Sequence, residues 1–317
     1  MYKTPLLRLV ALLLASTLLL SACASATTAL PTATLAPTPG PLELTDGLGR
    51  TVTLSGPAQR IVSLAPSNTE ILFTVGAGTQ VVGRDEFTNY PQEAMSLPSV
   101  GGSYGGYNSE AIVNLKPDLV LAAEINTPEQ VKTLEDLGLT VYYLSNPKDL
   151  EGMYQNLQLV AKMTGHETEA GKLVESLKER VAAVDEKMAS VTEKPSVFYE
   201  LDSTDPNAPY TFGPGTFMDL LISKAGGKNV GSVLGSPWAQ ISLEELVVQN
   251  PDLIILGDSN YGVTAEAVAA RAGWADLSAV KEGHVYPFND DLASRPGARL
   301  VDGLEELAKL IHPELFK

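Results

Sequence analysis

Residues 101–105 read Gly-Gly-Ser-Tyr-Gly, which matches the G-x-S-x-G pattern of a nucleophilic serine on a sharp turn between a strand and a helix. Ser103 would then be the nucleophile of a serine esterase, and the late His312 would suit the chain order serine, acid, histidine. The surroundings argue against this chemistry. The preceding stretch MSLPSVGG contains Pro98 instead of a continuous apolar strand, and no HGGG-type oxyanion segment lies upstream. We therefore expect no enzymatic activity, and an esterase is the disfavoured alternative.

The same loop has a counterpart 134 residues further along the chain. An aromatic residue, a glutamate and a Pro-Asp-Leu tripeptide lie at 104, 110 and 117–119, and again at 238, 244 and 251–253. Tyr104 thus corresponds to Trp238, whereas Ser103 corresponds to Pro237. The repeat therefore retains the aromatic residue and does not retain the candidate nucleophile. Both aromatic residues lie in loops rich in glycine, serine or proline, which favours a binding surface over core packing.

The repeat also pairs Glu110 with Glu244, each two residues after a predicted helix cap, Asn108 or Ser242. A single glutamate at this position would be explained by its favourable interaction with the helix dipole. A symmetric pair indicates a further role, namely one exposed anchor on each half of the protein for a partner with two-fold symmetry.

Alternating strands and helices must position these residues. The pattern predicts a hairpin over 42–54, and the sequence 67–70 is interpreted as a capping box that opens a helix. Further strands are expected at 60–65, 81–85, 118–123, 140–144, 197–201, 252–256 and 284–288, and helices near 109–115, 129–137, 168–191, 216–225 and 299–311. The sequence therefore predicts an α/β fold of two Rossmann-like lobes, 42–164 and 194–317, bridged by a single long helix within 165–193.

The N-terminus indicates export. Lys3 and Arg8 precede an apolar run over 9–20, which is too short to span a bilayer comfortably and suits a signal peptide over 1–22. Ser21, Ala22 and then Cys23, the only cysteine of the chain, follow the run, and this order resembles bacterial lipoprotein signals. A tether rich in serine, threonine, alanine and proline follows over 23–41. We expect lipidation of Cys23 and a location at the outer face of the cytoplasmic membrane.

Composition excludes several classes of partner. The formal net charge of −16 over 317 residues disfavours nucleic acids and anionic lipid surfaces. The three histidines, at 166, 284 and 312, are scattered and show no metal-ligand spacing, so we expect no bound metal ion and no cofactor.

Several separated blocks resemble the periplasmic binding proteins for cobalamin and ferric siderophores, with the closest likeness to the vitamin B12 binders. They include RIVSLAPSNTEILFTVGAG, PYTFGPGTF, WAQISLEEL and the final RPGARL stretch, and the likeness covers the chain from Leu42 to its end. The resemblance implies a class III fold, in which a rigid helix joins two lobes that hold the ligand between them. It also implies a non-enzymatic, monomeric receptor of an ABC importer.

The resemblance further implies roles for individual residues. Tyr104 and Trp238 would flank a corrin ring, and Glu110 and Glu244 would contact arginines of a dimeric permease. Additional cleft residues would be Phe87, Tyr90, Tyr210 and Asp291, with the neighbouring Asp290 as an alternative to Asp291. Arg84 and Arg295 are the loop arginines available for an anionic ligand. The ligand implied is cobalamin or a related corrinoid, while a ferric siderophore, or haem with a tyrosine ligand, stays open.

Overall fold

Two parallel four-stranded sheets form the framework of the computed structural model, which describes residues 40–102 and 106–317. The predicted signal peptide, Cys23, nearly all of the tether, Ser103 and Tyr104 lie outside the described residues. No helix in the described part of the chain is both long enough and apolar enough to cross a membrane.

The N-terminal lobe opens with the predicted antiparallel hairpin and continues as a parallel sheet in the order β4-β3-β5-β6. Every residue of β5 and β6 is buried, as expected for a parallel sheet whose two faces are covered. The elements are β1 (Leu42–Thr45), β2 (Thr51–Leu54), β3 (Ile61–Ser63), α1 (Pro66–Thr74), β4 (Val81–Gly83), α2 (Ser109–Asn114), β5 (Leu119–Ala123), α3 (Pro128–Asp136) and β6 (Val141–Leu144).

Two helices then lead from the first lobe to the second. Helix α4 (Leu150–Thr164) ends at Gly165, whose φ of +81° favours glycine, and the long helix α5 (Glu167–Met188) follows at once. Its 22 residues extend over about 33 Å. Its buried side chains recur every three to four residues, and they are Ala170, Val174, Leu177, Val181 and Val184.

The C-terminal lobe repeats the architecture with a parallel sheet in the order β12-β11-β7-β9. Strands β8 and β10 form a separate antiparallel ribbon beside it. The elements are β7 (Ser196–Glu200), β8 (Tyr210–Phe212), α6 (Phe217–Lys224), β9 (Lys228–Asn229), β10 (Trp238–Gln240), α7 (Leu243–Gln249), β11 (Leu253–Leu256), α8 (Ala265–Ala269), α9 (Ser278–Glu282), β12 (Val285–Pro287), α10 (Asp291–Ser294) and α11 (Leu300–Ile311).

One hydrophobic core runs through both lobes. It includes Leu121 of the first sheet, Leu177 of helix α5 and Leu304 of helix α11, each at most 3% exposed. Arg180 of α5 also forms ion pairs with Asp302 and Glu305 of α11, at 2.6 and 2.7 Å. The long helix is therefore packed into the same core as both sheets, and bending it would break backbone hydrogen bonds and this packing together.

The internal repeat is visible in the backbone. Lys116 and Asn250, which are 134 residues apart, both adopt a positive φ, of +49° and +42°. The repeated aspartates also have equivalent roles. The Asp118 carboxylate accepts from the backbone N–H of Arg60, and the Asp252 carboxylate accepts from that of Ser196, so each joins a helix-to-strand connection to the start of a neighbouring strand.

The predicted capping box at residues 67–70 is wrong. Helix α1 already begins at Pro66, and Ala65 occupies the N-cap position without a side-chain hydrogen bond. Glu70 lies within the helix, where it is 2% exposed. The S-x-x-E spacing also fits one turn inside a helix, and here the glutamate is held by tertiary contacts that the local sequence does not reveal.

These contacts form what we call the interlobe ion cluster, made of Glu70 and Asn89 of the first lobe and Asp291, Arg295 and Arg299 of the second. Glu70 Oε1 accepts from Arg295 at 2.8 Å and from Arg299 at 3.0 Å. Arg295 also contacts Asp291 at 2.7 Å and donates to Asn89 Oδ1 at 2.6 Å. Asn89 in turn donates to Asp291 Oδ2 at 2.9 Å. The cluster therefore joins the two lobes.

We expect Glu70→Ala to destabilise the protein by about 3–5 kcal/mol, because it leaves two largely buried guanidinium groups without their shared carboxylate. Glu70→Gln retains an acceptor oxygen and should lose less. Urea unfolding of the three proteins measures the difference. Lys132→Ala, which removes the exposed partner of Asp136, is the control and should leave stability unchanged. Equal stability of Glu70→Ala and Lys132→Ala would contradict a stabilising role for the cluster.

Candidate functional site

Loops at the carboxyl ends of both parallel sheets line a cleft between the lobes. In the first lobe they follow β4, β5 and β6, and in the second they follow β7, β11 and β12. Parallel α/β sheets bind ligands at this edge because their crossover connections open there. Three pockets occupy the cleft, and all three draw residues from the segment 289–296.

The three pockets of the described cleft differ in volume and in the lobes that line them. The tryptophan pocket, of about 260 Å³, lies between Asn146 of the first lobe and Trp238 of the second. The Phe87 pocket, of about 630 Å³, lies between Phe87 and residues 289–295. The acidic pocket, of about 710 Å³, is formed by the second lobe alone. The two larger volumes are in the range of small-molecule binding sites.

Trp238 forms a supported wall of the tryptophan pocket. Its side chain is 58% exposed, and its ring packs on Phe212 with 4.8 Å between the centroids. Phe212, opposite Trp238 in the β8–β10 ribbon, is buried and makes an edge contact with Tyr199 at 5.2 Å. One side of the indole thus packs against a cluster of buried aromatic rings in tilted and edge contacts, and the exposed remainder is available to a ligand.

Phe87 and Tyr90 lie in the loop after β4. The Asp85 carboxylate accepts from the backbone N–H of Phe87 at 2.8 Å and from the Thr88 hydroxyl, which fixes the turn. Burial raises the pKa of the Asp85 carboxyl. Tyr90 carries the Arg299 guanidinium 4.1 Å from its ring centroid. Both aromatic side chains are about half exposed.

Two tyrosines lie along the acidic pocket. Tyr210, which was expected from the sequence, is 45% exposed. Tyr261, which was not singled out from the sequence, is 89% exposed and lines both the acidic pocket and the Phe87 pocket. The sequence feature that could have identified Tyr261 is its position shortly after the carboxyl end of the fully buried strand β11, where parallel sheets bind ligands.

The charged residues differ in what they contact. Asp291 lines the Phe87 pocket and Asp290 lines the acidic pocket, so both reach the cleft. Burial raises the pKa of Asp290, whose Oδ1 accepts from the Tyr199 hydroxyl at 2.7 Å.

Arg295 lines the Phe87 pocket but is paired with two carboxylates of the interlobe ion cluster. Arg84 lies outside the three linings and donates to backbone carbonyls, including that of Ala94.

Carboxylates outnumber cations along the described lining of the three pockets. The cations are Lys148 and Arg295. The carboxylates are Glu124, Asp202, Asp258, Asp290 and Asp291. Because the charge of Arg295 is already compensated, the potential in the cleft opposes the entry of anions.

Glu110 and Glu244 are exposed at the second positions of helices α2 and α7. The expected caps are present, since Asn108 Oδ1 and Ser242 Oγ accept backbone N–H groups at 2.9 and 3.2 Å. At Ser242 the capping is one-sided, since the Glu245 carboxylate accepts from the Gln249 side chain at 2.7 Å and not from the backbone of Ser242. The two glutamates therefore have equivalent local surroundings.

His312, the histidine that the disfavoured esterase alternative would have used, lies apart from the cleft linings. His312 lies in the C-terminal lobe, 6% exposed, with its ring nitrogens next to Glu314 Oε1 and the Gly226 carbonyl. Within residues 40–102 and 106–317, no three side chains of histidine, cysteine, aspartate or glutamate converge as a group that could hold a metal ion.

Comparison with known proteins agrees with this architecture. The chain is 37% identical over 282 residues to YvrC, an uncharacterised ABC transporter substrate-binding lipoprotein of Bacillus subtilis, with 87% of each chain covered. The crystal structure of BtuF, the periplasmic vitamin B12 binding protein of Vibrio cholerae, matches with a TM-score of 0.69 and 29% identity, over 82% of this chain and 99% of that one. The periplasmic heme-binding protein RhuT of Roseiflexus sp. RS-1 matches with a TM-score of 0.73 and 26% identity, over 81% and 99%.

Residues 61–292 match the family model described as periplasmic binding protein. With its two parallel α/β lobes and the cleft between them, the chain belongs to this family of extracytoplasmic solute-binding proteins that serve ABC importers.

Proposed function

We propose that the solute is cobalamin or a related corrinoid. The observation that carries the proposal is a cleft with exposed aromatic rings on both lobes and a lining in which carboxylates outnumber cations. A corrin is a broad, flat ring with neutral amide groups at its edge, so rigid aromatic walls can bury it without cationic partners. The exposed aromatic residues of the lining are Phe87, Tyr210, Trp238 and Tyr261. The sequence expectation adds Tyr104 and Tyr90, of which Tyr90 is about half exposed but outside the three linings.

Ferric siderophores and haem are the alternatives within the family. Haem is favoured by the tyrosine hydroxyls of Tyr210 and Tyr261 as potential iron ligands and by the likeness to RhuT. Its propionates, like the charge of catecholate siderophores, would meet a lining in which carboxylates outnumber cations. Among the described lining residues, Lys148 is the cation that is not paired with a cleft carboxylate. The charge of the cleft therefore favours the corrinoid.

The proposal includes anchoring and delivery. Lipidation of Cys23 would hold the protein at the outer face of the cytoplasmic membrane, with the tether over 23–41 as a spacer. Glu110 and Glu244 would dock on arginines of a dimeric permease, one on each subunit, which suits their equivalent positions in the two lobes. The long helix and the interlobe ion cluster limit lobe closure, so capture relies on a largely pre-formed cleft.

The ligand class can be tested by titrating the protein without its signal peptide with cyanocobalamin, haem and ferric siderophores. Trp238 lies in the cleft, whereas Trp274 is buried and donates to the Pro206 carbonyl, so quenching should come from Trp238. We expect cyanocobalamin to bind at least about tenfold more tightly than the other two. A response to ferric siderophore or haem alone would overturn the corrinoid assignment and leave the receptor class intact.

The aromatic wall can be tested with Trp238→Ala, which should weaken ligand binding by about 30-fold because it removes a large supported contact surface. Phe316→Ala is the matched control, since this ring lies outside the cleft against Lys187. Calorimetric titration with cyanocobalamin measures both variants without relying on tryptophan fluorescence. Equal affinities of the two variants would exclude Trp238 from the ligand site.

The docking role can be tested with the double variant Glu110→Ala/Glu244→Ala, which should lower cobalamin uptake in cells by more than about tenfold while ligand affinity is unchanged. The control is Glu129→Ala/Glu266→Ala. These glutamates are also exposed at the second positions of capped helices, one in each lobe, so they match the helix-dipole contribution. Full uptake by the first double variant would refute docking through these residues.

A further inference from the structure

The acidic pocket contains a buried carboxylate whose hydrogen bonding is incomplete. Asp258 lines the pocket just after strand β11 and is 5% exposed. Its Oδ2 accepts from the Ser203 hydroxyl at 2.6 Å. Its Oδ1 has no hydrogen-bond partner among the described residues. An unpaired buried carboxylate oxygen is costly, so such an atom calls for a donor that arrives from outside the fold.

The carboxylates around Asp258 are already engaged within the protein. Glu200 is held by Arg271, whose Nη2 lies 3.0 Å from Glu200 Oε1. Asp290 accepts from Tyr199, and Asp202, exposed at the mouth, accepts from the backbone N–H of Thr204 at 2.7 Å. Asp258 is thus the member of this group with a buried oxygen that no described group satisfies.

A chain of hydrogen bonds fixes the orientation of Asp258. Arg271 donates to the Ser203 hydroxyl at 2.8 Å, and that hydroxyl donates to Asp258 Oδ2. Because the single guanidinium is bonded to Glu200 and Ser203, its charge does not neutralise Asp258 directly. The pocket keeps a net negative character from Asp202, Asp258 and Asp290, while Tyr210 and Tyr261 supply aromatic surface beside it.

We propose that the acidic pocket is a specificity subsite in which Asp258 accepts a hydrogen bond from a carboxamide N–H group at the edge of the ligand. The inference rests on the proposed corrinoid function and deepens it. An ionised carboxylate only accepts hydrogen bonds, so the pocket binds the amide and repels a carboxylate at the same place. The subsite therefore selects fully amidated corrinoids over their carboxylate counterparts and over haem.

A metal ion is a poorer occupant of the same pocket. Among the described residues, these carboxylates do not form a group of three that could hold a metal ion. The pocket volume of about 710 Å³ and its flanking tyrosines suit an organic side chain with both an apolar stem and a polar end.

The test compares two corrinoids that differ at the ring edge, the dicyano forms of cobinamide, with carboxamides, and of cobyrinic acid, with carboxylates. Equilibrium dialysis of the protein without its signal peptide, followed by corrin absorbance, gives both affinities. We expect the protein to prefer the amide by at least about 30-fold. Asp258→Asn, which keeps the shape, should weaken cobinamide binding about tenfold and narrow the preference to within about threefold.

Two further variants keep the result interpretable if Asp258→Asn does not fold. Asp202→Asn changes an exposed carboxylate at the mouth of the pocket and should raise the affinity for cobyrinic acid a few-fold, at about unchanged cobinamide affinity. Asp205→Asn is the control, because this exposed aspartate lies in the same loop outside the pocket lining. It should change neither affinity.

The outcomes separate the subsite from the function. Equal binding of the two corrinoids, or an unchanged preference in folded Asp258→Asn, overturns the subsite and leaves the corrinoid receptor in place. Failure of both corrinoids and of cyanocobalamin to bind overturns the proposed function, and the subsite with it. A narrowed preference in Asp258→Asn alongside unchanged Asp205→Asn supports the subsite.

Discussion

The contact between Glu70 of the first lobe and Arg295 and Arg299 of the second is the constraint on which the cleft depends. Loops at the carboxyl ends of two separate sheets can form one ligand site only if the sheets keep a fixed relation. Helix α5 and the shared hydrophobic core hold the lobes on one side, and the interlobe ion cluster holds them at the cleft itself. The aromatic walls are therefore positioned before a ligand arrives, which lowers the ordering cost of binding.

The same cluster affects the electrostatics of the site. Arg295 is the cation that an anionic ligand would be expected to contact in the Phe87 pocket, yet Glu70 and Asp291 already compensate it. An ion pair that stabilises the lobe arrangement thus also removes positive charge from the lining. The architecture and the proposed preference for a neutral, amide-bearing ligand therefore have one physical origin, since the arginine that joins the lobes is already paired with carboxylates.

The sequence predicted best those features that repeat or alternate. Parallel strands and the long helix follow from apolar periodicity, and the 134-residue repeat marked positions with a real backbone basis, as Asp118 and Asp252 show. Residues whose role depends on tertiary contacts could not be identified from the sequence. Glu70 was interpreted as the glutamate of a capping box from its local spacing. The arginines that it contacts lie 225 and 229 residues away, so the local sequence does not reveal them. The proposed acceptor role of Asp258 depends on hydrogen bonds from Arg271 to Ser203 and from Ser203 to Asp258, which the local sequence does not reveal.

The proposed docking residue of the second lobe and the exposed indole lie on one short segment of the chain. Strand β10 carries Trp238 at its start and leads through the Ser242 cap into helix α7, where the proposed docking residue Glu244 lies at the second position. Six residues separate Trp238, whose indole packs against Phe212, from Glu244. Strand β8 of the same ribbon is also hydrogen-bonded to the segment that continues from β7, since the Leu201 N–H donates to the Tyr210 carbonyl at 2.9 Å. A permease that docks on Glu244, as proposed, would therefore act on a segment that contacts both the aromatic wall and the loop of the acidic pocket.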